Sequence, residues 1–108
     1  MNDVLEQLRN QFAAHEFMYY QSNYEGGIID RIQNEYYDAL VINPGALTHY
    51  SFAIADALKN LKKRKIEVHI SNIYQREEFR QKSVTAAYTN AVLSGFGIDG
   101  YRLAVLSL

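Results

Sequence analysis

Two strand-like runs, the apolar DALVINPG at residues 38–45 and the alternating KIEVHIS at 65–71, bracket one amphipathic stretch, SFAIADALKNLKK at 51–63. This order narrows the fold more than any other feature of the chain. A continuous apolar run of strand length is the mark of a strand buried on both faces, and NPG stops it because proline and glycine break regular pairing. In the stretch between, Phe52, Ala55 and Leu58 recur at helical spacing. The basic run KKRK at 62–65 then falls where cations favour a helix C-terminus, a better account of it than a nucleic-acid patch. Strand, helix and strand in that order call for a parallel pair joined by a crossover.

The rest of the chain extends the same alternation. Residues 2–13 place Val4, Leu5, Leu8 and Phe12 on one side of a 3.6-residue repeat, with Asn2 or Asp3 available as cap, and predict a helix. EFMYYQS (16–22) reads as a strand ended by the turn NYEGG, and IIDRIQNEYY (28–37) as a second helix. After KIEVHIS, a short helix is expected over REEFRQK (76–82) and a final helix over GYRLAVLSL (100–108). AAYTNAVLSGFG (86–97) fits either a short buried strand or a helix. The expected architecture is an α/β sandwich with a parallel sheet and helices on both faces, one domain over residues 1–108.

Composition excludes several function classes. Eleven basic and twelve acidic residues give a net charge of −1, which supplies no overall attraction to nucleic acid or an anionic membrane. The chain has no cysteine, so disulfides, thiolate metal sites and cysteine nucleophiles are out, in keeping with a reducing compartment. No run approaches the length that spans a bilayer, and the N-terminus has no apolar core of signal-peptide type. A soluble cytoplasmic protein is expected. His15, His49 and His69 lack metal-ligand spacing, and there is no Walker, GxGxxG or GxSxG motif. Nine tyrosines fit core and surface packing better than base stacking in a chain of neutral charge.

In open parallel sheets, ligands gather at the carboxyl ends of the strands, and polar residues concentrate there. Along IEVHIS, alternation puts Ile66, Val68 and Ile70 on one face and Glu67, His69 and Ser71 on the other. A carboxylate beside an imidazole orients the ring and favours its charged form, as a general acid requires. The competing reading is a solvated edge strand. At the end of the preceding strand, Asn43 and His49 flank the NPG turn. Asn43 can donate to and accept from a polyhydroxylated ligand, and the turn can present N–H groups to an anion. Taken alone, each also fits turn chemistry or a structural histidine. Arg76 and Arg80 lie four apart, on one face if helical, and suit a carboxylate or an ionised phenol. Surface pairing with Glu77 and Glu78 is the plainer alternative.

Four segments, QSNYEGGIID, INPGALTH, EVHISNIYQREEFR and GYRLA, resemble the successive signatures of type II 3-dehydroquinate dehydratase, in the same order and at similar separations. The resemblance covers nearly the whole chain. It implies a flavodoxin-like three-layer sandwich, a homo-oligomer built as a trimer or dodecamer, and no metal or organic cofactor. The implied reaction converts 3-dehydroquinate to 3-dehydroshikimate in the shikimate or quinate pathway: a tyrosinate removes a proton beside the ketone, and a histidine protonates the departing hydroxyl. By this correspondence His69 is the general acid and Glu67 its orienting partner. Asn43 and His49 hydrogen-bond the substrate, Ile70 and Ser71 hold its carboxylate, and Arg80 contacts a ring hydroxyl. Arg76 favours the ionised form of the catalytic phenol, and Asp56 reaches the neighbouring subunit's site.

The resemblance is incomplete at one end. The family begins with a strand leading into an asparagine-rich turn of the type NGPNLNLLG, then a lid carrying an arginine and the catalytic tyrosine. No residue here matches them. The first strand is therefore expected to be absent, leaving EFMYYQS without its usual partner. Three outcomes are open: the sheet closes up, another segment or chain supplies the strand, or the sequence is part of a longer enzyme. Tyr50 and Tyr74 stand where the family usually has threonine and histidine, and AAYTNAVLSG where it has more Ser and Gly. The function expected is this dehydratase. The alternative is a binding or assembly subunit of the same fold that lacks the base.

Overall fold

A computed structural model describes residues 2–34 and 36–108. Three parallel strands form one sheet: β1 (Ala39–Ile42), β2 (Arg64–His69) and β3 (Ala91–Ser94), in the spatial order β1-β2-β3. Four helices accompany them: α1 (Asn2–Gln11), α2 (Glu25–Gln33), α3 (Phe52–Asn60) and α4 (Asp99–Leu106). The chain is an α/β fold with β2 at the centre of the sheet. The reading of IEVHIS as a solvated edge strand is therefore wrong.

Side-chain alternation sorts the two cores. Leu40 and Ile42 face α2 and α3, where they join Ile32, Ile54, Ala57, Leu58 and Leu61. On the opposite face, Val41, Ile66, Val68 and Leu93 pack with Ala104 and Tyr101 of α4. The sheet thus lies between two helical layers, as a parallel sheet must to bury both faces. Registration sets Ile42 against Glu67 and His69 against Ser94, so the polar end of β2 is flanked by both neighbouring strands. The segment left undecided between strand and helix divides in two, a 3-10 turn over Ala86–Tyr88 and then β3.

Local chemistry accounts for the helix ends. Ser51 caps α3, its hydroxyl accepting from the Ile54 N–H at 3.1 Å, which satisfies one of the otherwise unpaired first-turn donors. At the other end Lys65 turns its ammonium onto the carbonyls of Leu58 at 2.7 Å and Leu61 at 2.6 Å. Part of the basic run is thus helix-end chemistry. Helix α2 begins three residues earlier than the periodicity implied and takes in both glycines. A Cβ at Gly27 would stand 2.6 Å from the Tyr20 hydroxyl, so a larger residue there would make the tip of that exposed side chain move. The helix stops at Gln33, short of the expected residue 37, because Asn34 takes an extended backbone; residue 35 lies outside the described residues.

Residues 16–22 form no strand. Strand structure needs a backbone neighbour for its N–H and C=O groups, and among the described residues this segment has none in the sheet. Its apolar side chains are correspondingly open, with Met18 58% exposed and Tyr20 46%. The outer edge of β1 is likewise unpaired among the described residues. No helix of the described residues is long and apolar enough to cross a membrane.

Candidate active site

A cleft of about 360 Å³ opens at the carboxyl ends of β1 and β2. Its first wall is the turn after β1. The Asn43 carbonyl oxygen accepts from the Gly45 N–H at 3.0 Å, and its amide nitrogen donates to the Tyr101 hydroxyl at 2.9 Å. Gly45 takes a φ of +59°, which glycine adopts without steric cost. The turn then tightens into a 3-10 helix, Gly45–His49. There the His49 Nδ1 lies 2.6 Å from the Lys82 carbonyl. A carbonyl only accepts, so Nδ1 carries the hydrogen, and Nε2 is the nitrogen left for a ligand.

The floor is the end of β2. Glu67 is completely buried and His69 is 5% exposed. His69 Nε2 stands 2.7 Å from Glu67 Oε2. Three hydroxyls surround the same carboxylate: Ser83 donates to Oε2 at 2.9 Å, Thr48 to Oε2 at 3.2 Å, and Thr85 to Oε1. Burial pushes the Glu67 carboxyl up, but the hydrogen bonds from His69, Thr85 and Ser83 outweigh it and hold the group below its ordinary value. Glu67 is thus an anion at neutral pH. A carboxylate accepts only, so Nε2 carries a hydrogen and Nδ1 is the ring nitrogen with no partner among the described residues.

Beyond His69 the strand ends, so the alternation expected for Ile70 and Ser71 stops with it. Both residues line the cleft instead of facing opposite ways. Neither backbone N–H has a partner among the described residues. Two successive free donors at the end of a parallel strand, beside a serine hydroxyl, make a seat for a carboxylate.

Arg76 and Arg80 complete the opposite wall, though not from one helix. Arg76 closes the 3-10 turn Ile73–Gln75 with extended backbone, and Arg80 ends a second such turn, Glu78–Arg80. The loop folds back and brings both side chains to the cleft. Arg80 also keeps its plainer partner, Glu77 at 3.7 Å, in an exposed pair of the kind that contributes little. Asp56 is exposed on α3 and does not line the cleft. Seven of the nine expected site residues therefore line it, Glu67 stands behind His69, and Asp56 lies outside.

Sequence reasoning passed over Thr48, Ser83, Thr85 and Tyr101. Thr48 and Tyr101 sit inside the segments INPGALTH and GYRLA, while the spacing of Ser83 and Thr85 in SVT was a signal left unused. Among the described residues no group of three or more His, Asp or Glu side chains could hold a metal ion.

Comparison with known proteins agrees across the chain. The family model described as Dehydroquinase class II matches residues 1–108. A 3-dehydroquinate dehydratase of Clostridium beijerinckii is 48% identical over 98% of this chain and 76% of its own length. One of Thermotoga petrophila is 58% identical over 80% of this chain and 60% of its own length, so the chain spans about three fifths of that relative. The crystal structure of a type II dehydroquinase from Butyrivibrio crossotus superposes with a TM-score of 0.93 at 45% identity, covering 98% of this chain and 77% of that one.

Proposed function

The chain belongs to the class II dehydroquinase family, and from that premise we propose that it dehydrates 3-dehydroquinate to 3-dehydroshikimate. In this reading the substrate carboxylate lies against the Ile70 and Ser71 N–H groups and the Ser71 hydroxyl. Asn43 and His49 take hydrogen bonds from the ring's polar groups, and Arg80 contacts a ring hydroxyl. Loss of a proton beside the ketone gives an enolate. As the enolate collapses, the C–O bond to the leaving hydroxyl breaks, His69 gives its Nδ1 proton to that oxygen, and water departs. Glu67 stabilises the charged ring and fixes which nitrogen faces the cleft.

Arg76 favours the ionised form of the phenol that acts as base. Asp56, exposed and away from its own cleft, reaches the site of a neighbouring copy in a homo-oligomer, a trimer or dodecamer. No metal or organic cofactor takes part, residues 1–108 act as one domain, and the setting is the cytoplasm.

The observation that carries this reading is the buried His69–Glu67 pair at 2.7 Å, opening beside two N–H groups unpartnered among the described residues. The experiment is turnover of 3-dehydroquinate followed by the absorbance of the conjugated enone product. Turnover that disappears in His69→Ala supports the dehydratase. A protein that neither binds nor turns over the compound overturns it.

One observation favours a second reading. Among the described residues no tyrosine lines the cleft, and in this reading the phenol base comes from another segment or copy. A chain that binds 3-dehydroquinate without converting it, and stays inactive when supplied with the family's N-terminal strand and lid, is a binding or assembly subunit.

A further inference from the structure

Glu67 is a buried anion behind His69, and the arginines of the cleft do not neutralise it. Its four side-chain partners are His69 and three neutral hydroxyls. We infer that Thr48, Ser83 and Thr85 are positioning residues: a hydroxyl cage that keeps Glu67 ionised and in one orientation, and through it keeps Nδ1 of His69 turned to the cleft. The inference rests on the dehydratase reading for its purpose, but not for its geometry.

The cage is assembled from two separate segments. Thr48 comes from the turn after β1, and Ser83 and Thr85 from the loop that follows Arg80. The hydroxyls also touch one another, Thr48 with Ser83 at 2.5 Å, Thr48 with Thr85 at 2.8 Å and Ser83 with Thr85 at 3.0 Å. Backbone bonds hold the segments in place: Val84 N–H to the Thr48 carbonyl at 2.7 Å, and Ala86 N–H to the Ser83 hydroxyl at 3.0 Å. Thr48 and Thr85 are completely buried. Each hydroxyl has a single hydrogen: those of Ser83 and Thr85 point to the carboxylate, while that of Thr48, 3.2 Å from Oε2 but 2.5 Å from Ser83 and 2.8 Å from Thr85, ties the two donors together.

The consequence for His69 follows from donor and acceptor roles. An isolated buried carboxyl takes up a proton rather than stay charged. A protonated Glu67 would have a hydrogen of its own to donate and fewer acceptor sites, so it could bind a bare Nε2 and send the ring's hydrogen to Nδ1. The ring would then be neutral with its proton at the cleft and no anion behind it to stabilise the charged form. Hydroxyls prevent this without adding a cation, which would compete with His69 for the same oxygens. Three hydroxyls are thus better suited here than one arginine.

The test reads Glu67 itself. Carboxyl-carbon NMR of the labelled protein, with Glu67 assigned by its disappearance in Glu67→Gln, gives its titration midpoint independently of turnover. Thr85→Val keeps the shape and removes the hydroxyl; the midpoint should rise by about one pH unit, and Thr85→Ser should restore it. Ser83→Ala, at a half-buried position, should give a smaller rise and serves if Thr85→Val does not fold. In the same variants turnover should fall about tenfold in kcat with little change in KM, and the fall should be reversed by Thr85→Ser. A midpoint unmoved in folded Thr85→Val and Ser83→Ala overturns the cage. Failure of the dehydratase reading looks different: the midpoints move as expected, and 3-dehydroquinate is neither bound nor converted by the unsubstituted protein.

Discussion

The two walls of the cleft are built on opposite principles. At the end of β2, Glu67 and His69 are almost fully withdrawn from water and every oxygen of the carboxylate is occupied. Across the cleft, Arg76 and Arg80 are exposed, held on short 3-10 turns, and engaged by little beyond one loose pair with Glu77. A buried, saturated pair is fixed before any ligand arrives, which suits proton transfer to one atom. Exposed guanidiniums on a loop keep rotamer freedom and suit a charged substrate that must enter and leave. Position on the sheet sets the difference, since a central strand end is rigid and a connecting loop is not.

The largest expected effect falls on the rigid wall. His69→Ala should lower kcat on 3-dehydroquinate by about 10² to 10⁴, the range for loss of a general acid, with substrate binding retained. A variant that keeps its rate would move the acid elsewhere. Glu67→Ala should cost about 3–5 kcal/mol of stability by urea unfolding, because it leaves a buried imidazole and three hydroxyls without their acceptor. A loss below about 1 kcal/mol would mean that the hydroxyls satisfy one another and that the anion is dispensable to the fold.

Acid should act on the same wall. The folded-state carboxyl of Glu67 lies below its ordinary value, so its contribution to stability is complete above the unfolded pKa of about 4.3 and is lost as pH falls through the folded value. The urea midpoint should therefore decline on acidification below about pH 4.3 more steeply in the unsubstituted protein than in Glu67→Gln. Parallel declines would show that other carboxylates account for acid lability.

The sequence carried the rigid parts of the molecule better than the loose ones, for physical reasons. Periodicity placed α1, α3 and β2, and a continuous apolar run placed β1, because each is shaped by a local pattern of burial. Asn43, His49, Glu67, His69 and Ser71 were legible because they sit where such elements end, whereas alternation set Ile70 on the apolar face and only the resemblance put it in the site. EFMYYQS was misread because a strand is a property of two segments, and its alternation carries no record of whether a neighbour is present. The spacing of Arg76 and Arg80 suggested one helical face, yet two short turns with an extended residue between them bring the same side chains together. The hydroxyl cage was hard to read because serine and threonine are ordinary surface residues in composition, and the spacing of Ser83 and Thr85 does not show what they face. Only the fold reveals that residues 48, 83 and 85 meet at one carboxylate.

The smallest expected effect belongs to the loose wall and completes the contrast. Arg80→Ala should change stability by no more than about 0.5 kcal/mol, since its pair with Glu77 is exposed and screened. Its effect should appear instead as a raised KM, because a guanidinium that contacts substrate in ground and transition state alike contributes uniform binding. Urea unfolding and initial-rate kinetics on the same preparation separate the two. Should Arg80→Ala lower kcat with KM unchanged, the guanidinium would be acting on the transition state, and the division between a fixed chemical wall and an adaptable binding wall would fail at that residue. Should it destabilise the fold as much as Glu67→Ala does, the loop would be structural, and the exposure of Arg80 would be a poor guide to its role.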